Sequence, residues 1–299
     1  MTHDSVLELI GNTPMVRVRH LDTGPCELYL KLECMNPGGS IKDRIGLSMI
    51  EAAEARGELR PGATLVEGTA GNTGIGLALV AQQKGYRLLL VVPDKMSREK
   101  IFNLKAMGAE VVLTRSDVAK GHPDYYQDLA ERIARETPGA YFINQFGNPD
   151  NPLAHYETTG PEIWRDTGGH ITHFVSAMGT TGTIMGVSRY LKERNPAVQI
   201  VGVQPTEGSC IAGIRRWPPE YLPKIYDPAR VDRIIDIDQA AAEDTARRLA
   251  REEGVCCGVS SGGAVAAALR LSAEVERAVI VTVICDRGDR YLSTGLFSD

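Results

Sequence analysis

From Glu27 onward the chain alternates short apolar runs with amphipathic stretches, the order of elements expected of parallel sheets flanked by helices. Glu27–Glu33, Ala63–Glu67, Arg87–Val92, Glu110–Thr114 and Ala140–Asn144 predict one series of strands. Ile171–Ala177, Gln199–Gln204, Ile234–Ile237 and Ala278–Ile284 predict a second. Several carry Val, Ile and Leu at both parities, as strands covered on both faces do. Between them stand helix signals: Ser40 ahead of Ile41-Lys42-Asp43, Ser97-Arg98-Glu99, and Glu243 opening a run with Ala and Leu at helical spacing. The polar, proline-rich stretch Gln145–Pro152 reads as a crossing between two α/β domains, and a cleft between such domains is a natural ligand site.

Composition narrows the possibilities. At 299 residues the chain suits two ordinary domains, each with its own core. Hydrophobic residues at 43% and charged residues at 24% exclude a disordered or fibrous chain. A net charge of -5 without a basic block argues against a nucleic-acid partner and for a small molecule. The start Met1-Thr-His-Asp-Ser5 has no basic region followed by an apolar run, and no apolar stretch reaches the ~18 residues of a membrane span. A cytoplasmic protein without membrane contact is expected. Six scattered cysteines without a C-x-x-C read as reduced thiols and predict no metal site.

Three loops carry candidate chemistry. In Pro37-Gly38-Gly39-Ser40-Ile41-Lys42 a lysine falls in the first turn of a helix, with Ser40 and Asp43 resembling a capping box. The positive end of the helix dipole disfavours another cation there, which lowers the lysine pKa and suits a Schiff-base nucleophile and base. The plain alternative is a solvent-exposed lysine. Glu67-Gly-Thr69-Ala70-Gly71-Asn72-Thr73-Gly74 lies between a strand and a helix, where glycines let backbone amides approach an anion such as a carboxylate. Asn72 can donate to a phenolate-like oxygen. A Gly-rich turn with a capping Asn would look the same. Met178-Gly179-Thr180-Thr181-Gly182-Thr183 places amide and hydroxyl donors at a helix start, a cradle for phosphate. It is neither a Walker motif nor a dinucleotide fingerprint, because the Gly-Lys-Ser/Thr ending and the ribose-binding acid ~20 residues on are missing. A fourth element, Gly258-Val-Ser260-Ser261-Gly262-Gly263, by itself says only that a helix begins at a serine.

In this order the four segments resemble the fold type II pyridoxal-phosphate enzymes, related to the tryptophan synthase β subunit, and within them the cysteine synthase (O-acetylserine sulfhydrylase) family. The likeness runs from Ile10-Gly-Asn-Thr-Pro14 to Cys285-Asp-Arg-Gly-Asp-Arg-Tyr-Leu292. Thr158–Trp164, Gly213–Trp217 and Cys285–Arg290 are similar to the B-type branch. The resemblance implies two doubly wound α/β domains with mostly parallel sheets: a larger cofactor-binding domain of residues 1–35 and 147–299, and a smaller mobile one of residues 36–146 carrying the substrate-carboxylate loop. It implies pyridoxal 5'-phosphate on Lys42, Asn72 at the cofactor's 3'-oxygen, Gly179, Thr180, Thr181, Gly182 and Thr183 on its phosphate, and Ser260 at its pyridine nitrogen. A serine there leaves the ring nitrogen largely unprotonated and favours elimination over transamination.

Thr69, Ala70, Gly71 and Thr73, with Gln145, are the implied substrate-carboxylate positions. The implied reaction is a ping-pong β-replacement that turns O-acetyl-L-serine and sulfide, or thiosulfate, into L-cysteine, or S-sulfocysteine, and acetate through an α-aminoacrylate. O-phosphoserine, or serine with homocysteine, would be alternative substrates, and a non-catalytic regulatory relative is the reading from another class. Arg215 and Arg216 are candidates to attract an anionic nucleophile such as thiosulfate, and Cys285, at the end of an apolar strand, either lines the same site or is a buried structural thiol. A homodimer is implied. Ala70 departs from the family's Thr-Ser-Gly-Asn-Thr: a hydroxyl contributing ~1 kcal/mol is missing from the loop, which leaves the Schiff base untouched.

Overall fold

The computed structural model describes residues 2–69 and 71–298; the expectation placed on Ala70 lies outside the described residues. The chain forms two compact units, Met1–Ile10 with Lys42–Asn151, and Gly11–Ile41 with Pro152–Asp299. The chain enters the second unit after Ile10 and returns to the first after Ile41, six residues past the expected boundary at 35. The reason is local: Ile41 N–H donates to Cys285 O at 2.9 Å and Ser40 bridges Asp286, which ties the stretch before Lys42 to the second unit. Ser5, by contrast, donates from its hydroxyl to Gln83 Oε1 at 3.1 Å and so belongs with the first unit.

The first unit is a four-stranded parallel sheet in the order β5-β4-β3-β6. Its strands are β3 (Thr64–Gly68), β4 (Arg87–Pro93), β5 (Glu110–Thr114) and β6 (Ala140–Phe142). Its crossover helices are α1 (Lys42–Ala55), α2 (Asn72–Lys84), α3 (Arg98–Ala106) and α4 (Tyr126–Glu136). The central strands are apolar at both parities because both faces are covered: Leu65, Val66, Leu90, Val91 and Val92 are fully buried. Ser97 caps α3 as its position predicts, accepting from Lys100 N–H at 3.4 Å. The first turns of α1 and α2 approach closely. A Cβ on Gly76 would lie 2.6 Å from Lys42 O, so glycine is required for this backbone contact.

The second unit is a six-stranded sheet in the order β1-β2-β10-β7-β8-β9. It comprises β1 (Met15–Arg17), β2 (Glu27–Lys31), β7 (His173–Ala177), β8 (Gln199–Pro205), β9 (Arg233–Ile237) and β10 (Val279–Val283). All neighbours are parallel except β1, which pairs antiparallel with β2 at the edge. A short helix α5 (Asp150–Ala154) continues through a π-helical turn at His155–Thr159 into α6 (Gly160–Asp166). The remaining helices are α7 (Gly182–Arg194), α8 (Gln239–Glu252) and α9 (Val259–Ser272). Helix α8 starts at Gln239, four residues before the expected Glu243, because Asp238 caps it through Ala241 N–H at 2.8 Å. Two apolar clusters cover the sheet. One gathers Leu28, Leu30, Ile280, Val265 and Ala246, the other Phe174, Ile184, Ile200 and Val281. No helix among the described residues is long and apolar enough to cross a membrane, and all six cysteines are free thiols.

Candidate active site

In the second unit, β7 ends at Ala177 and the chain turns through 178–181 into α7. Thr181, the residue before the helix, has φ +72° and ψ −6°, a left-handed conformation that is a genuine outlier for a β-branched residue. Thr180 and Thr181 are buried, and Thr181 Oγ1 has no hydrogen-bond partner within the protein. The first N–H groups of α7 also point out of the helix unsatisfied by it, as at any helix start.

The turn is held from outside by the loop Gly213–Trp217. Arg215 N–H donates to Met178 O at 2.9 Å and the Trp217 indole N–H donates to Gly179 O at 2.8 Å. A Cβ on Gly179 would lie 2.7 Å from Gly213 O, and one on Gly213 would lie 3.2 Å from Ser260 Cβ. Ser260, buried in the first turn of α9, is therefore packed against the same loop that covers Gly179. His155 reaches the helix start too, with Nε2 3.3 Å from Thr183 Oγ1 and Nδ1 2.9 Å from Thr159 Oγ1.

The segment after β10 joins the Ser260 turn to the residues before Lys42. Cys285 N–H donates to Ser261 Oγ at 2.9 Å, while Cys285 O accepts from Ile41 N–H. Asp286 is buried and accepts from the Tyr291 hydroxyl at 2.7 Å, and Arg290 donates to Gly38 O. Burial and the neighbouring Asp286 carboxylate push the Tyr291 hydroxyl well above the usual phenol range. Lys42 follows Ile41 by one peptide bond and opens α1 in the first unit.

In the first unit, the loop after β3 leads to Asn72, the first residue of α2. Thr69 Oγ1 accepts from Gly71 N–H at 3.2 Å, shaping the loop. The buried Thr73 hydroxyl donates to Gln145 Oε1 at 2.7 Å, and Gln145 Nε2 donates to Glu67 Oε1 at 3.1 Å. Gln145 itself sits just after Asn144, which has φ +54°, and its carbonyl accepts from Asn151 Nδ2 at 2.7 Å.

The family model described as pyridoxal-phosphate dependent enzyme matches residues 6–286. The chain belongs to that family. Cysteine synthase B of Pseudomonas aeruginosa is 59% identical over 296 residues, covering 99% of this chain and 98% of that protein. Cysteine synthase B of Escherichia coli K12 is 56% identical over 295 residues, covering 98% and 95%. Among solved structures, O-ureido-L-serine synthase superposes with a TM-score of 0.92 at 38% identity, covering 99% of this chain and 96% of that one.

As a pyridoxal-phosphate dependent enzyme the chain needs a place for a phosphate dianion. The 178–183 turn has the features: a buried hydroxyl without a protein partner, a strained backbone position held from outside, and a helix N-terminus. Within their own units the structure groups the sequence-predicted residues: Gly179, Thr180, Thr181, Gly182 and Thr183 with the Ser260 turn, and Asn72 with Thr69, Gly71, Thr73 and Gln145. The two arginines are separated in role. Arg216 is ion-paired with Asp236 and donates to Pro205 O at 3.0 Å, whereas the Arg215 guanidinium lies 5.0 Å from the Trp217 ring centre. Sequence reasoning missed Glu67, His155 and Trp217. Only Glu67 carried a signal, as an acid at the inner end of an otherwise apolar strand.

Proposed function

We propose that this chain catalyses β-replacement on O-acetyl-L-serine with sulfide, or with thiosulfate, giving L-cysteine, or S-sulfocysteine, and acetate. The observation that carries the reading is the Thr181 turn, with its left-handed backbone and buried unpartnered hydroxyl, at the start of α7; the full-length likeness to cysteine synthases supports the choice of substrates. Lys42 is the attachment point of the cofactor, Asn72 its 3'-oxygen partner, Gly179 through Thr183 its phosphate site, and Ser260 its ring-nitrogen partner. Bound pyridoxal phosphate supplies the electron sink for cleavage at Cα.

The protein's own groups do the rest. Thr69, Ala70, Gly71, Thr73 and Gln145 take the substrate α-carboxylate and so fix the orientation of the Cα–H bond. Lys42 Nζ, once free, takes the Cα proton as acetate leaves and returns it after the sulfur nucleophile adds to Cβ. One amine thereby serves as base and then acid. Arg215 and Arg216 are the candidates to attract thiosulfate, and Cys285 is a small residue of the same site in this assignment. The enzyme acts in the cytoplasm as a two-fold homodimer.

The test is the visible absorption of the purified protein. The band of the lysine-bound cofactor should be present and should shift on addition of O-acetylserine, and Lys42→Ala should abolish both the shift and cysteine formation. Turnover by Lys42→Ala, or a protein without the band, overturns the reading. Comparing sulfide with thiosulfate then decides the nucleophile.

A further inference from the structure

Glu67 is at the end of β3, two residues before the 69–73 loop, and is 1% exposed. An acid so buried costs free energy unless it is paired or neutral. Its Oε1 accepts from Gln145 Nε2, but Oε2 has no hydrogen-bond partner in the protein. Backbone N–H groups of Gln145, Asn144 and Gly68 face the carboxyl, yet burial outweighs them and pushes it up to about 7. A neutral carboxyl, which can donate as well as accept, is therefore within reach.

The polarity of the chain it terminates is informative. Thr73 donates to Gln145 Oε1, and Gln145 donates to Glu67, so every proton points inward, away from the loop. Thr73 then offers only lone pairs to the loop, the wrong polarity for an anion. For Thr73 to donate outward, Gln145 must turn its carboxamide end for end. Its Oε1 then faces Glu67 and needs a donor, which an ionised carboxylate cannot be and a neutral one can.

We propose that Glu67 is a positioning residue for the substrate α-carboxylate, through reversal of this chain: the Glu67 carboxyl donates to Gln145 Oε1, Gln145 Nε2 donates to Thr73 Oγ1, and the Thr73 hydroxyl donates to the carboxylate. This rests on the reading that the 69–73 loop takes that carboxylate. No bond is made or broken. Each link of the chain keeps one hydrogen bond in either sense, so the reversal breaks no link.

The protonation of Glu67 in the holoenzyme separates this from a merely structural role, because an ionised carboxylate can accept from Gln145 but cannot donate to it, whereas the amide of Glu67→Gln does both at any pH. Relative to Glu67→Gln, the wild-type KM for O-acetylserine should rise about tenfold from about pH 6 to about pH 8, the effect of one unpaired buried acceptor, with relative kcat and KM for sulfide within about twofold. The dissociation constant of L-serine, a probe that keeps the α-carboxylate but has a poor leaving group, should rise by the same relative factor in calorimetry. A ratio of wild-type to Glu67→Gln values that does not change with pH overturns the proposal while leaving the β-replacement reading intact. A wild-type protein that neither binds serine nor turns over overturns both. Thermal melting of the variant shows that a folded protein is being compared.

Discussion

The turn at 178–183 and the loop at 69–74 both join a parallel strand to a helix and both are rich in glycine and threonine, yet they are held in opposite ways. The first is fixed from outside by backbone and ring contacts: Met178 O and Gly179 O are each occupied by a donor from the 213–217 loop, and Gly213 O leaves no room for a side chain at 179. The second leans on a chain of two side-chain hydrogen bonds ending at an acid with one uncommitted oxygen. Hydrogen-bond chains of this kind can change sense without moving the backbone. A fixed cradle suits a ligand that stays, and an adjustable support suits one that comes and goes in every turnover.

The largest effect is expected where the fixed region is forced open. Gly179→Ala would place a methyl 2.7 Å from Gly213 O, a contact that only a backbone shift relieves. That shift would spoil the two donors from 213–217 and the packing on Ser260 together. Dialysis against cofactor-free buffer should strip pyridoxal phosphate from this variant, with its affinity lowered about a hundredfold, or ~3 kcal/mol. Retention equal to wild type would show that the turn is as adaptable as the 69–74 loop.

A comparable free energy separates the two regions by pH. The side chains of 178–183 do not ionise, whereas the support of the other loop ends at Glu67, pushed by burial up to about 7. The folded state therefore binds this proton more tightly than the unfolded chain, whose glutamates titrate near ~4.3. Its contribution to stability is fully present below the unfolded value and is lost as pH rises through about 7, a total on the order of 3 kcal/mol. Glu67→Gln does not titrate. Its melting temperature relative to wild type should climb by several degrees between pH 5 and 8 and level off above. A difference independent of pH would mean that Glu67 is ionised throughout.

The fixed region was also the more legible in sequence. Its residues are contiguous, and a Gly-Thr-rich turn between an apolar strand and an apolar helix is a local signal. The strands were legible for a similar reason, since runs such as Leu88–Val92 are buried on both faces and show it at every position except half-buried Leu89. What escaped was non-local. Glu67 and Gln145 are 78 residues apart, and nothing in either segment names its partner. Trp217 meets Gly179 across 38 residues through a loop without periodicity. Strand β1 was missed because Met15, Val16 and Arg17 form an edge with no buried residue, so the alternation that marks a strand is absent. Ala70, by contrast, was plain in the sequence, and its effect on the loop is measurable only through the substrate.

The smallest effect is the most discriminating. Thr181 has φ +72° and a buried hydroxyl without a partner. A β-branched residue in the left-handed region costs roughly 1–2 kcal/mol, and a buried unsatisfied hydroxyl adds to that. Glycine removes both costs and gives back part of the gain as unfolded-chain entropy, about 0.5–1 kcal/mol. Thr181→Gly should therefore stabilise the cofactor-free protein by ~1 kcal/mol, a rise of about 2–4 °C in melting temperature, while weakening cofactor retention by about tenfold through loss of one hydroxyl donor. Opposite signs for the two measurements are what a residue kept for its ligand at the expense of the fold requires. A variant that lost stability and cofactor together would make Thr181 an ordinary structural residue, and the strain at the start of α7 would need another cause.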